Sequence, residues 1–343
     1  MDTMKAVVYH PAGLSIEEVP LPDIGEEFVL VRVSDTGFCG SDHSLIESGF
    51  LADGTILGHE VSGIVARRGT KVSGFSEGSR VVIRPTFCGI CRDCRMGSPH
   101  RCAQGRRAIG IGDLPGGFAE YVKVYPQMLI PIPAGVDSRN AALAETFASA
   151  LHGITASGAR GGSALVMGGG PIGLAAVKLL KLLGFSPIAL AEPVSGKRET
   201  GRQFGADYTL DPLTEDLRQT TRVWTGGIGF ETILECSGVA ENCTLAFDLA
   251  ANGGALCMIS IMFKSITLGQ PMVMNLKECR FTGSYSNTHE ENRRCLAWMA
   301  EGAIDARSLI SEVIPLAELP RVYRERIHPG KALKVMVTIG EEF

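Results

Sequence analysis

Six consecutive residues confine the architecture more than any others. Gly168-Gly169-Gly170-Pro171-Ile172-Gly173 stands between the apolar run 163–167 and an amphipathic stretch, 171–183, that Gly184 stops. A G-x-G-x-x-G set at a strand-to-helix turn has a defined physical job. Gly168 makes the tight turn, Gly170 lets a diphosphate approach the backbone, and Gly173 lets helix pack against strand. The helix N-terminus, with Pro171 and Ile172 in its first turn, faces the anion. Glycine triplets are unremarkable in a chain with 42 glycines, so the placement carries the inference. Further apolar runs at 187–191, 232–236 and 255–261 alternate with helical segments, the βαβ rhythm of a parallel sheet. Glu192 closes the next run. A carboxylate there hydrogen-bonds a ribose 2′-hydroxyl and repels a 2′-phosphate, so NAD is expected over NADP. Arg198, close behind, joins the candidate cofactor residues, although the start of a solvated helix is its plainer reading.

At 343 residues the chain exceeds the roughly 250 at which single cores stop growing, so two domains are expected. From residue 5 to about 132 the texture is short β-rich runs (6–9, 28–33, 61–66, 80–83, 120–124) broken by Gly and Pro, which suits a small, partly open β-barrel. After about 287 mixed structure returns and ends in a strand-like run, 332–339. If that run pairs with the barrel, the nucleotide domain is an insertion. The expected division is 1–153 with 287–343 as a catalytic domain and 154–286 as a Rossmann domain. The fold class is α/β: a doubly wound parallel sheet inserted into the partly open barrel.

With 33 basic against 37 acidic residues and no dense Lys/Arg run, nucleic acid is excluded as a partner. The most apolar stretch, 172–183, is short and carries Lys178 and Lys181, and residues 1–10 lack a basic region followed by an apolar one. A soluble, unexported, cytoplasmic protein with no membrane partner is expected.

Four of the ten cysteines, Cys88, Cys91, Cys94 and Cys102, form a C-x2-C-x2-C-x7-C excursion. Four soft ligands with no open position suit a structural tetrahedral zinc, with an iron–sulfur cluster as the other occupant of such thiolates. Cys236, Cys243, Cys257, Cys279 and Cys295 are scattered and read as small buried hydrophobes. A second candidate centre comes from two loops, Cys39-Gly40-Ser41-Asp42-His43 and Gly58-His59-Glu60. Catalytic zinc takes three protein ligands and keeps one exchangeable position, and mixed Cys/His/Glu ligation supplies that.

Together, Gly58-His59-Glu60-x-x-Gly63-x-Val65 followed by Gly69, Val72, Gly78 and Arg80-Val81, the Cys39 loop, the four-cysteine lobe and the glycine fingerprint resemble the zinc-dependent alcohol dehydrogenases of the medium-chain dehydrogenase/reductase family, in the same order and over essentially the whole chain. The polyol, threonine and sorbitol dehydrogenase-like branch is the most similar. The resemblance implies a GroES-like catalytic domain and two zinc ions per chain. It implies Cys39 and His59 as ligands of the catalytic zinc, Glu60 as a ligand in some states, and Glu145 as a ligand directly or through water. Asp42 would orient His59, Ser41 would accept the substrate proton, and Lys334 would reach the cofactor diphosphate. Relatives commonly end a proton relay on a His five positions after the cysteine. Here Ser44 holds that position and His43 stands one earlier, so His43 is the candidate relay end.

The expected reaction is hydride transfer between NAD and a secondary alcohol: a polyol, cyclitol, sugar derivative or hydroxy amino acid. Primary alcohols are the alternative substrate. A zinc-free NADPH quinone or enoyl reductase would leave the cysteine lobe, Cys39 and His59 without a purpose, and a non-catalytic binding protein would have no reason to keep every ligand. Phe38, Phe50, Phe87 and Phe147 are candidate pocket or core residues. A homodimer or homotetramer is expected.

Overall fold

A computed structural model describes residues 2–104, 108–262, 264–268 and 271–343. The chain forms two compact units, Met1–Glu145 with Asn287–Phe343, and Thr146–Ser286. The division falls inside the helix Ala144–Ser157 rather than after residue 153.

The strand Val29–Phe38 is the hub of the first unit. It pairs antiparallel with Glu60–Arg68, Tyr121–Val124 and Val335–Thr338, and the sheet continues from Glu60–Arg68 through Arg80–Ile83 to Leu129–Pro131. Val29, Val31 and Val33 alternate onto one face with Val61, Val65, Val81, Ile83, Val122 and Val124, all buried. β-branched residues at alternate positions suit one packed face of a strand, and nearly every residue of this one is buried, as befits a strand paired on both sides. Register shifts at Leu30/Val31 and Val33/Asp35 mark bulges of the kind that bend a sheet toward closure. A second core gathers Phe38, Leu57, Phe118, Val335 and Val337 with Leu319 and Val322. The C-terminal strand does pair with the N-terminal sheet, so the glycine-rich unit is an insertion.

The second unit holds a six-stranded sheet, parallel throughout, in the spatial order Tyr208–Leu210, Ile188–Ala191, Ala164–Met167, Phe230–Glu235, Ala250–Met258, Arg280–Gly283. Ala164–Met167 and Ile188–Ala191 are buried at every residue, as parallel strands covered on both faces must be. The strand order reverses between Ala164–Met167 and Phe230–Glu235. In an open α/β sheet the ligand crevice lies outside the carboxyl ends at such a point, which is where Gly168 sits. Among the described residues no helix is long and apolar enough to cross a membrane.

Candidate active site

The hub strand delivers Phe38 to Cys39, and Cys39 caps the helix Gly40–Ser48. Asp42, fully buried, serves two neighbours with one carboxylate: Oδ2 accepts the Cys39 backbone N–H at 3.0 Å, and Oδ1 accepts from His59 Nδ1 at 3.2 Å. A ring held by Nδ1 presents Nε2 to the site. Ser41 Oγ lies 3.3 Å from that Nε2. Burial works against charge on His59, but Asp42 and Cys39 outweigh it and hold the imidazole well above its usual pKa.

The ligand atoms of Cys39, His59 and Glu60 all lie within 4.8 Å of one another, with His59 and Glu60 buried. Soft sulfur, imidazole and carboxylate at that spacing fit a zinc ion. Glu145 falls outside this group: its Oε1 accepts Asn287 Nδ2 at 2.9 Å. Lys334, expected to reach the cofactor diphosphate, is turned inward toward Glu60. It is buried, and its Nζ donates to both Glu60 oxygens, at 2.7 and 2.8 Å, and to Phe38 O at 3.2 Å. Burial lowers its pKa and Glu60 more than compensates, leaving it raised. A buried carboxylate needs such a counter-ion, which is a physical reason for the inward turn.

His43 points its Nδ1 at Tyr323 Oη, 3.2 Å away, and the same hydroxyl donates to Glu47 at 3.2 Å. His328 reaches Glu47 at 3.5 Å. Burial lowers the pKa of His43. Ser44, at the usual relay position, donates its hydroxyl to Gly40 O instead. The sequence reading missed Tyr323, Glu47 and His328 here, and Asn287 beside Glu145. None of these carries a local signal.

In the cysteine lobe, the Cys88–Cys94 and Cys91–Cys102 sulfurs stand 3.8 and 3.9 Å apart. A tetrahedron with Zn–S of about 2.3 Å requires S···S of about 3.8 Å. The backbone N–H groups of Cys91 and Cys94 donate to the sulfurs of Cys88 and Cys91, at 3.3 and 3.4 Å. Donation from Cys94 is the main cause that brings the Cys91 thiol down to about 6, whereas burial pushes Cys102 up to about 12. All ten cysteines are free thiols.

At the glycine fingerprint, Gly168 adopts φ +104° and a Cβ on Gly173 would lie 1.9 Å from Gly168 O, so neither position accepts a side chain. Gly170 caps the helix Pro171–Leu182, and a Cβ there would meet nothing within 4 Å, which leaves open space before the helix N-terminus. Pro171 and Ile172 open that helix. Glu192 is buried. It accepts Gly169 N at 2.6 Å and Val194 N at 2.9 Å. Arg198 is not a free cation. Its Nη1 binds the carbonyls of Glu192 and Pro193 at 2.7 Å each and Asp211 at 3.3 Å, so it braces the turn that carries Glu192. Of the four phenylalanines, Phe38 and Phe147 are buried, Phe87 is half-buried, and Phe50 is exposed.

Residues 25–134 match the alcohol dehydrogenase GroES-like domain, and residues 171–301 match the zinc-binding dehydrogenase family. Sorbitol dehydrogenase of Halalkalibacterium halodurans is 31% identical over 98% of this chain and 99% of its own. A 2-dehydro-3-deoxy-L-galactonate 5-dehydrogenase of Pseudoalteromonas atlantica is 32% identical over 94% of each. Among solved structures, one described as a zinc-binding dehydrogenase from Sinorhizobium meliloti bound to NADP superposes with a TM-score of 0.90 at 33% identity, over 98% of this chain and 100% of that one. The chain therefore belongs to the zinc-binding alcohol dehydrogenase family, as an oxidoreductase of small-molecule alcohols that uses a nicotinamide cofactor.

Proposed function

We propose that this protein is a NAD-dependent dehydrogenase with two zinc ions per chain, one catalytic and one structural, that oxidises a secondary alcohol to the ketone. The observation that carries this reading is the grouping of Cys39 with buried His59 and Glu60, with Asp42 orienting the imidazole. The polyol and sugar-acid dehydrogenases among its relatives support a polyol, cyclitol, sugar derivative or hydroxy amino acid as substrate. The preference for NAD rests on Glu192, whose carboxylate at the end of its strand would repel a 2′-phosphate. The Sinorhizobium relative with NADP makes cofactor choice the point to measure.

Zinc bound by Cys39, His59 and Glu60 would supply Lewis acidity that lowers the pKa of the alcohol hydroxyl, and bound NAD would supply the hydride acceptor. The chain's own residues do the rest. Asp42 fixes the imidazole, and Lys334 balances the Glu60 charge. Ser41, beside the ligating nitrogen, accepts the hydroxyl proton. His43, joined to Tyr323 and Glu47, is the next acceptor toward solvent. Glu145, held by Asn287, stands ready as a water-mediated ligand. Free cysteines support a reducing, cytoplasmic setting, and the family reading extends to a homodimer or homotetramer.

The test is NADH formation by the purified protein against a panel of polyols, cyclitols, hydroxy amino acids and primary alcohols, with and without a zinc chelator. Chelator-sensitive oxidation of one secondary-alcohol class is expected. Turnover that ignores the chelator would reject the catalytic zinc.

A further inference from the structure

Gly37 lies in the hub strand, opposite Glu60 on one neighbouring strand and Met336 on the other. A glycine inside a strand paired on both sides is unfavourable, because it gives up conformational freedom and packs no side chain. Backbone geometry does not call for it here: the segment is regular strand and the φ of Gly37 is outside the left-handed region. Space does. A Cβ on Gly37 would stand 1.9 Å from Glu60 Oε2, 3.1 Å from its Cδ and 3.3 Å from its Cβ, and these are the nearest atoms it would meet. Directly paired residues project to the same face of a sheet, so the Glu60 side chain lies across the place that a side chain at 37 would take. A carboxylate at the end of a long side chain would ordinarily swing aside. This one is buried, and both its oxygens accept from Lys334 Nζ, at 2.7 and 2.8 Å, while the same Nζ is anchored on Phe38 O at 3.2 Å. Gly40, beside Cys39, differs: a Cβ there would meet nothing within 4 Å.

We propose that Gly37 is a positioning residue of the catalytic centre: its missing side chain is the seat in which the Glu60 carboxylate rests, within reach of both Lys334 and the ligand atoms of Cys39 and His59. The inference rests on the catalytic zinc reading above. A methyl group at 37 would push the carboxylate off this seat, and leaving it means giving up the paired contacts with Lys334 or moving the oxygens relative to the Cys39 sulfur and the His59 ring. Ligand distances at a metal centre hold to about ±0.2 Å, so such a shift weakens the metal here and leaves the cysteine lobe alone. Gly37 acts through Glu60 and through nothing else.

The experiment places Gly37→Ala in the wild-type chain and in Glu60→Ala, as purified holoenzymes, and reads melting temperature, zinc affinity by competition with a chelator, and the d–d absorption of cobalt in the catalytic site. In the wild-type chain Gly37→Ala is expected to lower the melting temperature by about 2 °C or more, to weaken the catalytic zinc at least tenfold while the lobe zinc stays bound, and to shift the cobalt band. In Glu60→Ala the same substitution is expected to raise the melting temperature, because the space is vacant and alanine is the better strand residue. A melting shift of the same sign and size in both backgrounds would make Gly37 an ordinary packing position and overturns the proposal. So does an inverted melting shift with unaltered zinc affinity and cobalt band, which would leave a seat with no part in the centre. If Gly37→Ala alone does not fold, recovery of folding in the double variant supports the seat and failure to recover rejects it. If Glu60→Ala does not fold because Lys334 is left unpaired, Glu60→Ala with Lys334→Met removes both charges and serves as the background. Failure of the underlying reading shows separately: wild-type zinc that Cys39→Ser retains in full rejects the catalytic zinc, whatever Gly37→Ala does.

Discussion

At the scale of single residues, the two cysteine centres separate cleanly by substitution. Cys39→Ser removes a ligand from the grouping with His59 and Glu60, and is expected to abolish turnover and one zinc while the lobe keeps its own. Cys91→Ser removes the sulfur that accepts from the Cys94 N–H and is expected chiefly to lower the melting temperature. Metal analysis beside activity checks both, and a fully active Cys39→Ser enzyme would sink the mechanism. Glu192 offers a second residue-level test. Replacing it with Ala removes the carboxylate that accepts from Gly169 and Val194, so the ratio of kcat/KM for NAD over NADP should fall about tenfold, roughly 1.4 kcal/mol of discrimination. An unchanged ratio would leave cofactor choice to other residues.

At the scale of elements, the helix Pro171–Leu182 touches the turn at Gly173 so closely that a single methyl has no room. Gly173→Ala is expected to cost about 2 kcal/mol or more by overpacking and to weaken NADH binding in a fluorescence titration, because the helix must back away from the turn it serves. This part of the fold was legible because its signals are local: glycines, an apolar strand run and a helix stop all fall within some twenty residues. The strands Tyr208–Leu210 and Arg280–Gly283 were not, since they are short edge strands with partly exposed residues and no long apolar run. The candidate metal groupings were readable, the four-cysteine lobe from its spacing and the set Cys39, His59 and Glu60 with the help of the family resemblance. Their supports were not: Lys334 meets Glu60 across 274 positions, Tyr323 meets His43 across 280, and Asn287 meets Glu145 across 142. Only the folded unit brings these together. Lys334 and Arg198 illustrate the gap, since their partners within the protein, Glu60 for one and the carbonyls of Glu192 and Pro193 for the other, had no mark in the sequence.

For the whole molecule, stability in acid should carry the mark of His289. Its folded pKa is about 4, below the ordinary 6.5, because burial and then Arg84 and Arg293 oppose its charge. As pH falls below 6.5 the unfolded chain takes up a proton that the folded one refuses, so stability drops between pH 6.5 and 4 and this contribution levels off below. The loss is about 1–3 kcal/mol, and His289→Gln should flatten that segment of a melting-temperature profile relative to wild type. An identical slope in the variant would assign acid sensitivity elsewhere.

The pairing of Val335–Thr338 with the hub strand also sets an order of assembly. The unit Thr146–Ser286 is one unbroken stretch, complete once residue 286 has emerged during synthesis, whereas the other unit waits for its last strand. Nascent chains fold unit by unit, so the nucleotide-binding half is finished while the metal-binding half is still open at its central strand. Lys334 travels with that final segment, so a ribosome stalled before residue 334 would hold a chain whose inserted unit is complete while Glu60 still lacks the cation that both its oxygens accept from.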